Sequence, residues 1–481
     1  MKIAVIGAGI AGLAVAIRLR HAGHQVVVYE KNSSPGGKIF EVKKDGFVWD
    51  GGPSFFTDPG EFEKLFTDVG KDITSYFSYK ELDEACRYFY KNEVLRGYDS
   101  PEALGVEFER VFGEPREHVV RFLRDAAAVY TNTGAAYLDH EFHLWRILTP
   151  RLLRAFMGTP KRMILSTMHA NHARYFTTPE ATVFFDRFAT YTGSDPSRAP
   201  GLLSCTPHLE HNQGALHAVG GMRSIALAAY RLALDLGVDV RLNAPVDRLW
   251  VEHKSTRGVV VNGVQCGFDS VVNAGDVASL MKLHNESAYV KHQKKEHSAS
   301  AVVLYLGVKK TPLELYLHNI FFSADYRAEN QALWQTKQPY DDPTIYINNT
   351  SFFEPRVAPK AHENWFVMVN APAGADNTYA EQARESILKK LSKLIGTDVR
   401  KYIVCEASPL TPQRIARDFN AYRGSIYGQA GNSWRGAFFR PPNTDAKYQD
   451  LYHCGVTTHP GGGIPLALRS AKIVAHMIGS T

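Results

Sequence analysis

The sequence has little cysteine and no long apolar run. Its 481 residues include five cysteines, with no Cys-x-x-Cys pair. A low, odd count argues against a disulfide framework and a cysteine zinc site, and it is typical of a reducing compartment. No stretch reaches the ~18 apolar residues that a membrane-spanning helix needs. The start, MKIAVIGAGIAG, is short and interrupted by glycines, so it makes a poor signal peptide. We therefore expect a cytoplasmic protein or one attached to a single membrane face.

An excess of charge of one sign is also nearly absent. The chain has 55 Lys and Arg against 49 Asp and Glu, a net charge of +6, and 44% of its residues are hydrophobic. This composition excludes disordered and collagen-like chains. The mild net charge argues against nucleic acid as a partner. At about 150 residues per domain, the length indicates roughly three domains or two large interleaved ones. Nothing here indicates the oligomeric state.

Patterns for hydrolysis and metal binding are missing. No Gly-x-Ser-x-Gly turn of the α/β-hydrolases occurs. The pairs His169/His172 and His208/His211 have the spacing of helical metal ligands, but no third-ligand pattern accompanies them. We therefore expect no metal site.

What is present begins with a glycine motif between a strand and a helix. Gly7, Gly9 and Gly12 form Gly-x-Gly-x-x-Gly after the apolar run 2–6, and a second strand pattern ends at Glu30. The glycines permit a tight turn, close approach of a pyrophosphate and close helix packing, while the acid accepts hydrogen bonds from a ribose. The helix N-terminus offers N–H groups to phosphates. The motif predicts a dinucleotide site without separating FAD from NAD(P).

The next residues favour FAD. Gly37 and Lys38 follow Glu30 closely, and Gly52-Pro53 follows a hairpin-like stretch. Further glycine turns let the chain wrap a long dinucleotide, although surface hairpins have the same pattern. Lys31 could meet a 2′-phosphate of NADP, or it is simply an exposed lysine after a strand.

A second glycine cluster lies more than 440 residues later. Residues 455–466 read GVTTHPGGGIPL and are followed by a helical pattern. A helix N-terminus there would stabilise negative charge on a reduced flavin, or the loop only caps the terminal helix.

These segments resemble the bacterial-type phytoene desaturases, the carotenoid branch of the flavin amine-oxidase superfamily. THPGGGIPLALRSAK is similar to the C-terminal signature of that family. Other family-like stretches occur in the same order: ATYTGSDPSRAP, VGGMRSIALAAYRLALDLGVDVRLNAPVDRL, DSVVNAGDVASL, HNIFFSADY and FRPPN. The resemblance therefore covers nearly the whole chain.

The resemblance implies non-covalent FAD and a set of contact residues. Two departures from the family are Val456-Thr457, which replaces a smaller pair, and Arg469, which stands where a small residue is common. The turn at 273–276 has one inserted residue. The FAD contacts implied by the resemblance are Gly7, Gly9, Gly12, Glu30, Gly37, Lys38, Val246, Gly455, Gly462, Ile464 and Pro465. To these the residues after Glu30 add Lys31, Gly52 and Pro53 as candidate cofactor-binding residues.

The family also implies an α/β fold. It has a Rossmann-like FAD-binding domain of the p-hydroxybenzoate-hydroxylase and amine-oxidase type, an inserted α+β substrate domain and a helical membrane-facing part. We place the FAD domain at 1–75, 215–284 and 421–481, and the substrate domain at 76–214 and 285–420. The first insertion is largely helical in pattern, whereas the second has strand-like runs that predict a mixed sheet beneath a cavity.

One segment is unusual in its charge. Residues 142–178 contain no Asp or Glu but hold Arg146, Arg151, Arg154, Lys161, Arg162 and Arg174 among bulky apolar residues. This pattern suits a helical segment in a membrane interface, with its bases facing anionic headgroups. A helical hairpin packed on its own domain has the same pattern. A substrate drawn from the bilayer favours the membrane interpretation.

The implied reaction is desaturation of a carotenoid taken from the membrane. The sequence nominates no catalytic residue, because the cofactor carries the difficult chemistry; His459 is interpreted as part of the loop. The stretch 206–215 is polar enough to suggest a hydroxylated or terminally modified substrate, or else it is a surface loop. A 3,4-desaturase of hydroxylated carotenoids or γ-carotene, an isomerase or oxygenase, an amine oxidase and a non-catalytic prenyl-lipid escort protein remain alternatives.

Overall fold

The computed structural model describes residues 1–90, 93–141, 149, 157–284 and 286–479. Its strands, in chain order, are β1 (Lys2–Ile6), β2 (Gln25–Tyr29), β3 (Glu41–Lys44), β4 (Phe47–Asp50), β5 (Tyr79–Glu81), β6 (Cys86–Tyr90), β7 (Glu93–Gly97), β8 (Leu216–Ala218), β9 (Asp239–Arg241), β10 (Val246–Glu252), β11 (Ser255–Val261), β12 (Val264–Gly267), β13 (Ser270–Asn273), β14 (Ser300–Lys309), β15 (His318–Phe321), β16 (Ile345–Asn349), β17 (His362–Ala371), β18 (Ile403–Leu410) and β19 (Leu451–His453).

Helices connect these strands. In chain order they are α1 (Ile10–His21), α2 (Pro59–Thr67), α3 (Pro101–Phe112), α4 (Arg116–Tyr137), α5 (Lys161–Leu165), α6 (Met168–Tyr175), α7 (Pro179–Asp186), α8 (His208–His211), α9 (Arg223–Asp235), α10 (Val277–His284), α11 (Glu286–Gln293), α12 (Tyr326–Gln331), α13 (Asn377–Ile395), α14 (Pro412–Phe419), α15 (Trp434–Phe438) and α16 (Ile464–Gly479).

A parallel sheet forms the centre of the nucleotide-binding half. Its strand order is β19-β13-β1-β2-β9, and every neighbouring pair is parallel. Apolar runs such as Val26–Val28 suit strands covered on both faces. Helices α1, α9 and α16 pack on one face, and the antiparallel sheet β10-β11-β12 packs on the other. The parallel sheet thus assembles segments that are far apart in the sequence.

A mixed sheet forms the other half. Its order is β18-β14-β17-β16-β15-β6-β7, with β15 and β6 parallel and the other neighbours antiparallel. The strand-like runs predicted in the second insertion are confirmed as β14, β16 and β17. The largely helical pattern predicted for the first insertion is confirmed by α3 to α8, although β5, β6 and β7 also come from it. The apolar residues of β6 and β7 alternate only over five-residue strands, a weak signal. The division into domains stays a prediction.

The acid-free segment 142–178 is described only in part. Residues 142–148 and 150–156, with Arg146, Arg151 and Arg154, lie outside the described residues. Downstream, α5 and α6 pack through buried Met163 and Met168. Arg162 pairs with Asp125 at 2.9 Å, and its side chain is 39% exposed, so its position facing a membrane stays a prediction. In the part of the chain that is described, no helix is long and apolar enough to cross a bilayer.

The departure at Arg469 has a structural role. This residue of α16 lies 3.0 Å from Glu61 on α2 and 2.8 Å from Asp139 after α4, and its side chain is largely buried. Because Glu61 is buried, the guanidinium compensates a carboxylate that would otherwise be costly. The larger residue therefore joins the terminal helix to two neighbouring elements.

Candidate functional site

A cavity of about 880 Å³ lies between the two sheets. It is lined by every predicted contact residue except Gly12. The same cavity continues along apolar side chains of the mixed sheet, including Val303, Phe366 and Met368. A polar cradle and an apolar chamber therefore share one space.

The first glycine motif shapes the cradle. Gly7 has a φ of +100°, which favours glycine. A Cβ on Gly12 would lie 1.9 Å from the Gly7 carbonyl oxygen, so this glycine permits close packing of α1 on the end of β1. A Cβ on Gly9 would meet nothing within 4 Å, because Gly9 faces the open cavity. Each glycine thus has the geometry that its predicted task requires.

Glu30 is held rigidly at the end of β2. Its carboxylate accepts hydrogen bonds from the backbone N–H groups of Ala8 at 2.8 Å and Asn32 at 2.9 Å. The side chain is buried in protein yet lines the cavity. These contacts orient an acceptor toward the space where a ribose would lie.

The two lysines near the cradle differ in their surroundings. Lys31 donates to the carbonyl of Arg417 and the side chain of Asn420, which occupies its ammonium on the protein. Lys38 donates to the Ile426 carbonyl at 2.7 Å, and burial lowers its pKa from the usual value. The hydrogen bonds of both ammonium groups go to protein atoms, so neither lysine is held in position for a 2′-phosphate.

The later glycine turns close the cradle. A Cβ on Gly37 would lie 3.3 Å from the Gly9 Cα, and one on Gly52 would lie 2.0 Å from the Lys38 carbonyl oxygen. Gly52 therefore requires glycine, and the φ of +57° at Gly37 favours glycine there as well. Pro53 and Val246 also line the cavity.

The C-terminal loop reaches the same cavity. Gly455, Gly462, Ile464 and Pro465 line it where α16 begins. A Cβ on Gly462 would lie 2.3 Å from the Tyr427 ring. The substituted Thr457 accepts the Val277 N–H at 3.2 Å and so joins the loop to α10. The turn at 273–276, which has one inserted residue relative to the family, still reaches the cavity, since Ala274, Gly275 and Asp276 line it.

His459 belongs to the loop structure. It is fully buried, and its Nε2 lies 2.8 Å from the His140 carbonyl oxygen. Burial lowers its pKa to about 4, so the ring is neutral near pH 7.

The residues present fit a flavin dinucleotide. The open face of Gly9, the oriented Glu30 carboxylate and the N-terminal turn of α1 form the phosphate and ribose end. The start of α16 provides N–H groups at another part of the same cavity. The two ends were predicted from separate motifs, and the fold brings them together.

Two polar groups on the cavity wall were not found from the sequence. Ser54 and Tyr346 line the cavity with their hydroxyl oxygens 2.8 Å apart. Arg187 and Tyr191 also line it, and both contact the buried Glu210 carboxylate. Glu210 lies in the polar stretch 206–215, so that stretch is not a surface loop. In the sequence, only the unusual polarity of the stretch 206–215 indicated this cluster.

The histidine pairs have other partners. His169 and His172 both contact the buried Asp186 carboxylate, at 2.6 and 2.7 Å. Nδ1 of His211 lies 2.9 Å from the Tyr98 carbonyl oxygen. Among the residues that the structure describes, no group of three His, Cys, Asp or Glu side chains is placed to hold a metal ion.

We predict that Gly9→Val lowers dinucleotide binding without unfolding the chain. The backbone at Gly9 has an ordinary φ of −69°, and the added side chain enters the cavity. We expect FAD to bind at least about tenfold more weakly, a loss of about 1.4 kcal/mol. Titration of the apoprotein with FAD, followed by flavin absorbance, measures this. Gly60→Ala, whose Cβ meets only Asp58 at 3.9 Å, is the matched control. Equal affinities for Gly9→Val and the wild type would contradict the assigned cradle.

Comparison with known proteins agrees with this geometry. Residues 10–478 match the family model described as flavin containing amine oxidoreductase. The chain is 37% identical to a 1-hydroxycarotenoid 3,4-desaturase of Flavobacterium sp. (strain P99-3), over 100% of this chain and 99% of the relative. It is 31% identical to a 4,4′-diapolycopene oxygenase of Methylomonas sp., over 99% of this chain and 98% of the relative.

A solved structure shows the same fold. An oxidoreductase from Methanosarcina mazei superposes with a TM-score of 0.66 at 15% identity, covering 100% of both chains. This supports the flavin amine-oxidase type of α/β fold that the resemblance implied. The chain therefore belongs to the bacterial carotenoid desaturase branch of the flavin-containing amine oxidoreductases, and it is an oxidoreductase whose cofactor is FAD.

Proposed function

We propose that this protein is a carotenoid desaturase that takes its substrate from a membrane. The observation that carries the proposal is the single cavity in which the dinucleotide cradle opens into an apolar chamber. The similarity to the Flavobacterium enzyme over the whole chain supports the same function.

The chemistry divides between cofactor and protein. When bound, FAD supplies the acceptor for a hydride from one carbon, while a proton leaves the neighbouring carbon and a C=C bond forms. The chain's own residues position the polyene and exclude water. Ala301, Val303, Phe366 and Met368 of the mixed sheet supply an apolar wall, and Leu202 and Leu203 supply another part of it. Such a surface suits a long hydrocarbon.

The first test of the function is anaerobic reduction of the bound flavin. We expect bleaching of the flavin absorbance on addition of a carotenoid, because the substrate gives two electrons to the cofactor. Pigments are then identified by chromatography and mass spectrometry after presenting phytoene, lycopene, γ-carotene and their 1-hydroxy derivatives. A product two hydrogens lighter than the substrate supports desaturation.

Other outcomes identify the competing functions. Bleaching by an amine but by no carotenoid would indicate an amine oxidase. An oxygenated product would indicate an oxygenase like the Methylomonas relative, and a product of unchanged mass an isomerase. Carotenoid binding without flavin reduction would indicate an escort protein.

We also propose that the substrate has a polar end group. Arg187 Nη2 lies 3.2 Å from Glu210 Oε2 and donates to the Tyr88 hydroxyl at 2.9 Å. The Tyr191 hydroxyl contacts the same Glu210 carboxylate. A pure hydrocarbon would make no hydrogen bond with this polar part of the wall, whereas a hydroxyl group could exchange hydrogen bonds with it. The 1-hydroxycarotenoid relative supports the same substrate class.

We predict that Tyr191→Phe reduces selectivity for hydroxylated carotenoids. A hydrogen bond within a charged cluster is worth about 1.5–3 kcal/mol, so the kcat/KM ratio of hydroxylated to hydrocarbon substrate should fall roughly tenfold. Steady-state assays with paired substrates measure the ratio. Tyr427→Phe changes a hydroxyl elsewhere on the cavity wall and should leave the ratio unchanged. A ratio unaffected by Tyr191→Phe would remove this residue from end-group recognition.

A peripheral membrane contact near the acid-free segment is the third part of the proposal. Met157 and Leu165 are 78% and 83% exposed, which is unusual for large apolar residues. Exposed Lys161 lies on α5 between them. Upstream, Tyr130, Thr133 and Tyr137 of α4 line the cavity. The acid-free segment thus follows α4, a helix that forms part of the cavity wall. This proximity supports entry of an apolar substrate from a membrane at the acid-free segment.

We predict that the double change Met157→Ser with Leu165→Ser weakens binding to anionic liposomes. Burial of a large apolar side chain contributes about 1.5–3 kcal/mol, so partitioning should fall by at least about a hundredfold for the pair. Vesicle sedimentation measures the bound fraction. Val264→Ser with Val404→Ser removes two exposed apolar side chains elsewhere and serves as the control. Equal binding by both double variants would place the membrane contact elsewhere or rule it out.

A further inference from the structure

A second, water-sized pocket lies behind the cavity wall. It has a volume of about 10 Å³, which is about the space that one water molecule needs. Ser54 lines both this pocket and the main cavity. The small pocket is also lined by the polar residues Asp50, His217, Asn348 and Thr350, together with apolar residues such as Leu216 and Leu317. Its polarity suits a bridging water between Ser54 and the groups behind it.

The hydroxyl groups on the cavity side can pass a proton. Ser54 Oγ and the Tyr346 hydroxyl oxygen lie 2.8 Å apart, and either of them can donate. The Tyr346 oxygen also lies 2.7 Å from His318 Nδ1. Burial lowers the pKa of His318 to about 3, so this ring is neutral near pH 7 and does not retain the proton.

Asp50 is the acceptor behind the wall. Its Oδ1 accepts the Met222 N–H at 2.8 Å, at the start of α9. No other hydrogen bond to the Asp50 carboxylate occurs among the described residues, which leaves Oδ2 available to a water in the pocket. Burial raises the Asp50 pKa to about 7, so the carboxylate can take up and release a proton near neutral pH.

The next pair reaches solvent. His217 lines the small pocket, and its Nε2 lies 2.8 Å from Glu354 Oε1. Glu354 also accepts the Gly220 N–H, and its side chain is 22% exposed. The charged and titratable groups around Asp50 are His217 on β8, Glu354 after β16, and Glu41 on β3. Tyr305 on β14 and Tyr346 on β16 complete this environment.

We propose that Ser54 and Tyr346 begin a proton relay from the cavity through the water-sized pocket to Asp50, with an exit past His217 and Glu354. The inference rests on the proposed desaturation. In that reaction one C–H bond loses a hydride to FAD and the neighbouring C–H bond loses a proton, so that the C=C bond forms. A hydroxyl of the pair takes up this proton while it gives its own proton onward, and the Asp50 carboxylate is protonated. The proton then leaves to solvent, which restores every protein group.

The contact between Asp50 and Met222 also has a structural role, and the variants must separate the two roles. Asp50→Asn keeps an oxygen that can accept the Met222 N–H but cannot take up a proton. Ser54→Ala removes the shared hydroxyl and leaves Asp50 untouched, while Ser54→Thr restores a hydroxyl. FAD content and thermal unfolding of each holoenzyme check that the fold is intact.

The test is single-turnover flavin reduction by the active carotenoid, measured from about pH 5.5 to 9. A proton acceptor must be deprotonated, so the wild-type rate should fall as the pH drops through the Asp50 pKa of about 7. We expect Ser54→Ala to be at least about tenfold slower and Ser54→Thr to recover most of the rate. Asp50→Asn should be slow and lose the pH-dependent limb. Thr182→Val, a change at a buried hydroxyl that does not line the cavity, should keep the wild-type pH profile.

The outcomes separate a failure of the proton relay from a failure of the proposed desaturase function. If carotenoids reduce the wild-type flavin, but Ser54→Ala and Asp50→Asn show its rates and its pH profile, the relay is wrong and the desaturase function stands. If no carotenoid reduces the wild-type flavin while FAD is bound, the desaturase function fails and the relay fails with it.

Discussion

Close packing of α1 on the end of β1 is the contact on which the cavity depends. Gly12 leaves no room for a side chain beside the Gly7 carbonyl, so the N-terminus of α1 and the Glu30 carboxylate lie at the same edge of the parallel sheet. The other face of α1 packs against α16 through buried residues such as Ala467 and Ala471. This contact brings the C-terminal glycine loop to the cavity, although the chain between the two motifs is more than 400 residues long.

A second constraint comes from placing an apolar chamber beside a charged cofactor. The mixed sheet presents apolar side chains to the chamber, while buried polar groups are paired in small clusters. The Arg187–Glu210 pair is one such cluster, and a buried ion pair is costly unless it is fully hydrogen-bonded or has a task. The Ser54–Tyr346 pair is another, and the Asp50 carboxylate lies on a pocket behind it. These are the two clusters to which our proposals assign the substrate end group and the relayed proton.

Local motifs allowed much of the fold and the cradle to be predicted. Gly-x-Gly-x-x-Gly with Glu30 has a fixed spacing because strand, turn and helix are consecutive, and the resemblance of the terminal segments supplied the C-terminal loop. The strands β6 and β7 were missed because short strands carry little periodic signal. The ion pair of Arg162 with Asp125 was not predicted, because Asp125 lies in another helix and its proximity is not visible in sequence spacing. The roles assigned to single cradle residues stay predictions.

The sequence by itself determined the dinucleotide motif, the family and the apolar strands of the mixed sheet, because these depend on neighbouring residues or on a signature of the whole chain. Only the tertiary structure decided which polar groups meet at the cavity wall. Asp50 ends β4 and Ser54 follows it closely, but Tyr346 lies on β16, 292 residues from Ser54, and no spacing rule relates it to them. Arg187 and Glu210 likewise meet across a turn of the chain in a buried site. Their proximity follows from the packing of two sheets around one cavity, which is a property of the folded chain alone.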